Sequence, residues 1–442
     1  MRFLSVAAAV FAAQGAWASE RPLVRPEGAA PIVQAALAIP ANSLAVGRSL
    51  RPQQRATRPA TAAPVVLAAS NAGFQTWVKT FRPRALAQGI SGATFDRAFA
   101  GVRYDADVIK RDRNQSEFTK TLWDYLDSAA SNARISNGKK AIAKHRAVLD
   151  KIEARYGVDK EVVAAVWGLE SAYGTFKGSN DLIGSLGSLA YDARRSAFFE
   201  QQLIAALEIL QSGDVAPRGM TGSWAGAMGH TQFMPTSYLE YAVDFTRDGK
   251  RDIWGSDPTD ALASTANYLA KFGWVKGQPW GVEVRVPSGF DYSLADRKIL
   301  KSPAQWGALG FKDMNGKMVP NHGKASILLP AGAKGAAFMI FKNFEVIERY
   351  NTADAYVIGV GHLSDRLKGK PAIQSTWPRG DRALKFAERK EMQRLLTAKG
   401  FDTKKIDGKI GPLTIEAVRG FQRSIGLVPD GYANLEILKR LR

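Results

Sequence analysis

The sequence predicts a mainly α-helical protein with small β elements, in which a small helical module follows a larger domain. Apolar residues recur at helical spacing in three stretches, 118–126, 142–156 and 159–174. Two short apolar runs, 326–329 and 337–341, have the length and composition of strands. Because the helical stretches dominate, we expect the larger domain to be α-helical with some β structure.

Residues 1–18 have the pattern of an export signal. A short positive start, Met1-Arg2, precedes an apolar run over 3–13 that is too short to cross a bilayer. Ala16-Trp17-Ala18 then supplies the small residues of a cleavage site. The chain has no cysteine to accept a lipid or to form a disulfide. We therefore expect cleavage after Ala18 and a periplasmic protein without a lipid anchor.

Composition divides the rest of the chain. Residues 19–68 are dominated by Ala, Pro, Arg and Val with little periodicity, which is typical of a flexible tether. The larger domain is expected over 69–370, with room for two or more lobes. Pro and Gly residues then mark a linker over 371–381.

The last segment, 382–442, contains a short internal repeat. Asp-Gly pairs at 407–408 and 430–431 each precede a helical pattern, and a further helix is expected ahead of them. The sequence therefore predicts a small three-helix module. A helical hairpin without a ligand has the same pattern.

The chain is strongly basic. Its 61 Lys and Arg residues against 41 Asp and Glu give a formal net charge of +20. Such a charge favours an anionic polymer or surface as partner, and an exported protein meets peptidoglycan carboxylates and anionic lipids before it meets nucleic acid. Charge alone does not choose among these partners.

Glu170 is the leading catalytic candidate. It lies at the edge of the apolar stripe formed by Val162, Val166, Leu169 and Tyr173, with Asp159 expected as the N-cap and Gly174 as the end of the helix. A carboxylic acid in such a half-apolar place can donate a proton to a leaving oxygen. The competing interpretation is a structural ion pair at the rim of a core helix.

A glycine-rich stretch over 222–238 has the composition of a sugar-binding surface. Glycines at 222, 226 and 229 permit close backbone approach, and Trp224 and Phe233 offer flat apolar faces. Hydrogen-bonding side chains are expected from Ser223, Gln232 and Tyr238. A loop that is rich in glycine for steric reasons would have the same composition.

The stretch 244–255 follows an EF-hand calcium loop at its early positions, since oxygens at alternate residues can converge on one hard cation. Its last position is Gly255 where a glutamate is expected, so a closing carboxylate has to come from Asp257 or Asp260. A solvated Asp-Gly turn is the alternative. The candidate metal ligands are Asp244, Thr246, Asp248, Lys250 and Asp260.

Together, these stretches resemble the membrane-bound lytic transglycosylase B family of peptidoglycan-cleaving enzymes, over roughly residues 70 to 370. The shared motifs, in one-letter code, are GLES at 168–171, YG at 173–174, AGAMG at 225–229, QFMP at 232–235, SY at 237–238, ANYL at 266–269 and IERYN at 347–351. The last segment resembles the peptidoglycan-binding domain type 1 family through MQ at 392–393, GF at 400–401, DGKIG at 407–411 and FQ at 421–422.

The resemblance implies a lysozyme-like catalytic domain with Glu170 as its single catalytic acid. In the family, this acid protonates the oxygen between MurNAc and GlcNAc and then takes the proton of the muramyl 6-hydroxyl, which leaves a 1,6-anhydro end without using water. No cofactor is required, although some members hold calcium in the EF-hand-like loop. The expected substrate contacts are Ser223, Gln232, Tyr238, Tyr350 and Asn351.

Three functions from different classes remain open at this point: a lytic transglycosylase, a hydrolase of the same glycan that uses water, and a wall-binding scaffold without activity. A nucleic-acid-binding protein is disfavoured, because no recognition motif accompanies the charge. The expected partners are peptidoglycan glycan strands and, further, other cell-wall enzymes.

Overall fold

The computed structural model describes residues 62–113, 120–192 and 194–442. The helices of the larger body are α1 (Ala62–Ala87), α2 (Gly92–Phe99), α3 (Ala106–Arg113), α4 (Leu122–Ala129), α5 (Asn132–Lys144), α6 (Arg146–Tyr156), α7 (Lys160–Ser171), α8 (Leu182–Tyr191), α9 (Ser196–Ser212), α10 (Pro235–Tyr241), α11 (Thr259–Lys271), α12 (Pro303–Ala308), α13 (Lys342–Tyr350) and α14 (Asp354–Leu367). Its strands are β1 (Asn180–Asp181), β2 (Thr221–Gly222), β3 (Gly281–Arg285), β4 (Lys312–Asp313), β5 (Ser326–Leu328) and β6 (Ala337–Ile340). The prediction of a mainly α fold with small β elements is confirmed.

Helix α7 lies at the centre of the helical core. Helices α5, α6, α11 and α14 all pack against it, and each residue from Val162 to Gly168 is buried. The sequence predicted a single apolar stripe on this helix. That prediction was too narrow, because small and β-branched residues on every side of α7 allow its neighbours to enclose it.

Both predicted ends of α7 also differ in the structure. Asp159 occupies the N-cap position, but its carboxylate makes no capping hydrogen bond. It accepts hydrogen bonds from Trp274 Nε1 at 2.9 Å and from Lys368 Nζ at 2.9 Å instead. The helix ends at Ser171, three residues before the predicted Gly174.

A small antiparallel sheet packs beside the helices. Its strand order is β4-β3-β6-β5, and the predicted runs 326–329 and 337–341 supply the last two strands of this order. One face of the sheet has its own apolar core around Trp306 and Phe311, both fully buried. This sheet lobe gives the larger body a second layer next to the α7 core.

The last segment is a three-helix module, as predicted, with helices α15 (Phe386–Ala398), α16 (Pro412–Ser424) and α17 (Leu435–Leu441). Both Asp-Gly turns place glycine at positive φ, 74° at Gly408 and 76° at Gly431. Each turn is fixed by a buried glutamine. Gln393 Oε1 accepts the N–H of Gly408 at 2.7 Å, and Gln422 Oε1 accepts that of Gly431 at 2.8 Å.

Part of the N-terminal organisation differs from the prediction. Helix α1 begins at Ala62, so residues 62–68 are helical rather than part of the predicted tether. Pro64 lies in the first turn, where its missing N–H breaks no helical hydrogen bond. The predicted export signal, the rest of the tether and Phe118 lie outside the described residues. Among the helices that the structure describes, none has the length and apolar character needed to cross a membrane.

Candidate active site

The chain turns sharply just after Glu170. Ala172, Tyr173 and Gly174 have φ values of 48°, 60° and 85°, a left-handed run that costs energy at the two residues with side chains. Ser171 holds this turn: its Oγ accepts the N–H of Gly174 at 2.9 Å and donates to the carbonyl of His230 at 2.5 Å. The backbone beside Glu170 is therefore tightly fixed.

The GLES and YG motifs have a steric explanation. A Cβ on Gly168 would lie 2.6 Å from ring and hydroxyl atoms of Tyr173, so only glycine lets the tyrosine fold back onto the helix. Tyr173 donates from its hydroxyl to the carbonyl of Arg134 at 3.0 Å, and Arg134 donates to the carbonyl of Gly168. These hydrogen bonds hold the end of α7 against α5.

Glu170 itself is half-buried among aromatic side chains. Tyr356, from the first turns of α14, donates from its hydroxyl to Glu170 Oε1 at 2.8 Å. Burial first, and then the negative charge of Glu170, raise the pKa of the Tyr125 phenol in α4. Neither tyrosine was predicted as a site residue, because Tyr356 reaches the carboxylate only through the packing of α14 on α7, and Tyr125 is placed by the packing of α4 on α14.

Tyr350 and Asn351 lie next to this group. The Tyr350 ring stacks nearly parallel to that of Tyr356, at 6.4 Å between centroids and 9° between planes. Tyr350 is only 5% exposed, and its hydroxyl donates to the carbonyl of Thr231 at 2.5 Å. Asn351 is buried and its Oδ1 accepts the N–H of Ala353, at the start of α14. The structure thus gives Tyr350 a part in placing Tyr356, and contact of Tyr350 and Asn351 with the substrate stays a prediction.

The glycine-rich loop meets α7 through a histidine that was not singled out in the sequence. Trp167 Nε1 donates to His230 Nδ1 at 3.2 Å, and His230 Nε2 lies 2.9 Å from the carbonyl of Gly255. Since Nδ1 accepts, Nε2 carries the proton and the ring is neutral. Burial lowers the pKa of His230, which agrees with this neutral form. A lone histidine among glycines gave no sign of this role.

Ser223 and Gln232 are the predicted polar positions of this loop. Ser223 is half-buried, and its Oγ accepts the N–H of Ala227 at 3.0 Å. Gln232 has a positive φ of 55° and is 7% exposed, and its Nε2 donates to the carbonyls of Lys177 and Gly229 at 2.9 and 2.8 Å. The Gln232 amide therefore joins the loop to the segment that follows α7, and contact of Ser223 and Gln232 with the substrate stays a prediction.

Tyr238 takes a different place from the one expected. Its side chain has no exposed surface, its hydroxyl donates to the carbonyl of Arg251 at 2.6 Å, and the Arg251 guanidinium lies 4.8 Å above its ring. A buried side chain with its polar group already bonded cannot reach a substrate in this structure. We correct its assignment to a core residue that supports the loop.

Asp181, the next acid along the sequence after Glu170, caps a helix. Its Oδ2 accepts the N–H of Gly184 at 2.8 Å in the first turn of α8. Burial raises the pKa of Asp181 despite this bond. Its role is therefore structural.

The EF-hand-like loop brings three carboxylates together. Ligand oxygens of Asp244, Asp248 and Asp260 all lie within 4.8 Å of one another. Thr246 donates from its hydroxyl to Asp244 Oδ1 at 3.2 Å, and Lys250 reaches the loop through its backbone, where its N–H donates to Asp248 Oδ1 at 2.9 Å. Three hard oxygen donors that converge in this way fit calcium in their chemistry.

A cavity of about 740 Å³ lies between α11, α13 and the sheet lobe. Its lining includes Arg349 and Thr352, the sequence neighbours of Tyr350 and Asn351, and Tyr268, whose ring centroid lies 5.1 Å from that of Tyr350. Glu170 is not among the lining residues. The cavity therefore borders the aromatic group around Glu170 without enclosing the carboxylate.

Comparison with known proteins relates both parts of the chain to known families. Residues 73–365 match the family described as the transglycosylase SLT domain, and residues 387–441 match the peptidoglycan binding domain family. Over 236 residues the chain is 33% identical to the membrane-bound lytic murein transglycosylase B of Escherichia coli (strain K12), which covers 52% of this chain and 62% of that protein. The match thus spans less than two thirds of that relative.

Two solved structures are also similar. SltB3 from Pseudomonas aeruginosa, in complex with NAG-anhNAM-pentapeptide, superposes with a TM-score of 0.82 at 49% identity and covers 84% of this chain and 99% of that one. The Escherichia coli lytic transglycosylase Slt35, in complex with calcium, gives a TM-score of 0.57 at 28% identity and covers 68% and 94%. The match to the transglycosylase SLT domain family spans more than half of this chain, so the chain belongs to that family.

Proposed function

We propose that this protein is a lytic transglycosylase that cleaves the β-1,4 bond between MurNAc and GlcNAc in peptidoglycan and leaves 1,6-anhydro-MurNAc ends. The observation that carries the proposal is Glu170, a half-buried carboxylate at the end of the buried helix α7, bonded to the hydroxyl of Tyr356. The family membership, and the anhydro-sugar ligand named for the similar SltB3 complex, support the same reaction.

In the proposed reaction Glu170 acts first as acid and then as base. Its proton goes to the glycosidic oxygen as the bond from that oxygen to muramyl C1 breaks, and the GlcNAc leaves as an alcohol. The muramyl 6-hydroxyl oxygen then bonds to C1, and its proton returns to Glu170. Water is neither consumed nor released, so the scheme needs no second carboxylate, unlike the usual glycosidase pair.

The residues around Glu170 have supporting roles in this scheme. The Tyr356 hydroxyl fixes the orientation of the carboxylate and stabilises its charged form between the two proton transfers. Tyr350 holds Tyr356 by stacking, while Ser223 and Gln232 are the proposed polar contacts to the glycan. Positive charge on the sugar ring is stabilised by the substrate's own 2-acetamido group.

We further propose that Asp244, Asp248 and Asp260, with the backbone carbonyl of Lys250 and the hydroxyl of Thr246, hold calcium. The convergence of three carboxylates supports this site, as does the calcium complex named for Slt35. The ion would stabilise the loop between α10 and α11 and takes no part in bond cleavage.

The proposed setting is the periplasm, with the C-terminal module binding glycan strands. The basic charge and the match of residues 387–441 to the peptidoglycan binding domain family support this. Other cell-wall enzymes remain candidate partners.

Product analysis separates the proposal from its competitors. Purified sacculi are digested with the protein, and the muropeptides are identified by mass spectrometry. We expect 1,6-anhydro ends. Reducing ends would indicate the hydrolase, which adds one water for each bond cleaved, and no release despite sacculus binding would indicate the inactive scaffold.

A further inference from the structure

The segment predicted as a linker, 371–381, is bound along its length to the larger body. Glu283 of β3 accepts the backbone N–H groups of Gln374 at 2.8 Å and Ser375 at 2.7 Å, one with each carboxylate oxygen. Two charge-assisted bonds from one carboxylate fix this part of the backbone against the sheet lobe. A free tether would not have such anchors.

Trp377 packs between α4 and the β5–β6 loop. Its ring stacks on Trp123 of α4, at 6.2 Å between centroids and 30° between planes. On another side it meets the β5–β6 loop, where a Cβ on Gly335 would lie 3.3 Å from Trp377 Cε3. Trp123 is only 2% exposed, so the stacked ring of Trp377 meets a buried partner.

Arg379 makes a second contact with the same helix. Its guanidinium donates to both carboxylate oxygens of Asp127, at 2.7 and 3.1 Å. Since both side chains are more than half exposed, the pair adds more to geometry than to stability. Trp123 and Asp127 are separated by one helical turn, so Trp377 and Arg379 contact the same face of α4.

The opposite face of α4 carries Tyr125. Its ring meets α14 at Gly359, where a Cβ would lie 2.8 Å from Tyr125 Cε1 and 3.4 Å from Leu169 Cδ2. Leu169 is the residue before Glu170. The short helix α4 therefore stands between the contacts of Trp377 and Arg379 on one side and Gly359 of α14 and Leu169 of α7 on the other.

We propose that residues 373–379 form a positioning strap: Trp377 and Arg379 hold α4 so that Tyr125 keeps its place against α14, beside the end of α7 that carries Glu170, and this placement supports the proton transfers of the proposed transglycosylase. The inference rests on the function proposed above. In this proposal Trp377 and Arg379 act through α4 and not by touching the substrate or the acid.

The strap also borders the C-terminal module. Asp430 Oδ2 accepts the N–H of Ala333 at 2.9 Å in the same β5–β6 loop that touches Trp377, and Arg419 donates to the carbonyl of Ala295 at 3.0 Å. Asp381, at the end of the linker, accepts from Asn434 Nδ2 at 3.1 Å. The module therefore rests on the body at the place where the strap is seated.

The test is steady-state cleavage of a short soluble glycan by the full chain, with kcat and KM measured separately. Trp377→Ala should lower kcat by about tenfold with little change in KM, because misplacing a group beside the acid affects the reaction more than binding. Trp377→Phe, which keeps a stacking ring, should restore most of the rate. Arg379→Ala should lower kcat by a smaller factor than Trp377→Ala does.

Arg382→Ala is the matched control, since Arg382 also pairs with a carboxylate in two hydrogen bonds, but with Glu388 inside the module. It should leave kcat unchanged. A double-mutant cycle with Tyr125→Phe completes the test. If the strap acts through Tyr125, Trp377→Ala should cause little further loss of kcat in the Tyr125→Phe background.

Wild-type kcat in both Trp377→Ala and Arg379→Ala, or fully additive losses in the cycle, would overturn the strap. If Trp377→Ala fails to fold, Arg379→Ala and its double variant with Tyr125→Phe give the same decision. Failure of the wild-type protein to cleave the glycan would instead contradict the proposed function, so the two ideas can fail separately.

Discussion

Tyr356 Oη lies 2.8 Å from Glu170 Oε1 and donates a hydrogen bond to it, although 186 residues separate the two in sequence. The contact joins the end of α7 to the start of α14, the helix that packs most extensively along it. The carboxylate is thereby held in one orientation, half-buried and beside aromatic rings. A proton donor that must serve in two successive transfers benefits from such fixation.

Replacing Tyr356 with phenylalanine should slow the reaction without unfolding the protein. The change removes a hydrogen bond to a charged group, an interaction of about 1.5–3 kcal/mol, so we expect kcat to fall roughly ten- to a hundredfold. The ring remains to stack on Tyr350. Steady-state kinetics and a thermal melt check both parts, and an unchanged kcat would show that the contact does not matter for catalysis.

Calcium should stabilise the protein through the EF-hand-like loop. At a hundredfold excess over its Kd, a ligand that binds only the folded state adds about 2.7 kcal/mol, so Tm should rise on adding calcium and fall on adding a chelator. Asp248→Asn should abolish the shift, because it removes the charge of one converging carboxylate.

Lys250→Ala is the control for the calcium site. Its predicted ligand atom is the backbone carbonyl, which the substitution keeps, so the calcium-dependent rise in Tm should persist. A rise of equal size in Asp248→Asn would contradict the site.

His230 should make the protein less stable in mild acid. Its pKa in the folded state lies below the ordinary value of 6.5 because the ring is buried. Below pH 6.5 the unfolded chain therefore binds a proton that the folded chain does not, and stability falls as the pH falls. Tm measured from pH 7 to pH 5 should decrease more steeply in the wild type than in His230→Gln, whereas parallel curves would argue against this role.

The C-terminal module should serve binding rather than chemistry. Removal of residues 381–442 is expected to weaken the retention of protein on sacculi, because the module raises the local concentration of enzyme on the glycan. Cleavage of short soluble glycans should persist, since Trp377 and Arg379 of the strap remain. Loss of both activities in a variant that still melts cooperatively would contradict this division of roles.

The catalytic role of Glu170, which local motifs singled out, stays a prediction. The sequence predicted the fold class and the three-helix module, because helical periodicity and Asp-Gly turns are properties of short segments. It did not predict Tyr356, Tyr125 or His230 as neighbours in the site. Each reaches α7 only through long-range packing, and a tyrosine or histidine in a helix or a glycine-rich loop carries no local sign of its partner.

Two predictions from local pattern needed correction for the same reason. Tyr238 has a residue type that suits sugar binding, but its side chain is buried and its hydroxyl is bonded to the carbonyl of Arg251. The linker 371–381 has the proline and glycine content of a flexible segment, whereas Glu283 and Trp123, both distant in sequence, hold it in place. Composition describes what a segment tends to do alone and not what its neighbours impose on it.

The measurement that tests the central proposal most directly is the release of muropeptides from sacculi by Glu170→Gln, compared with the wild type. The amide keeps the size of the side chain and can still meet the Tyr356 hydroxyl, but it can neither give nor regain the proton. We expect release of 1,6-anhydro products to fall by about a thousandfold or more, while retention on sacculi and Tm stay the same. Release at the wild-type rate by a folded Glu170→Gln protein would contradict the assignment of Glu170 as the catalytic acid and base.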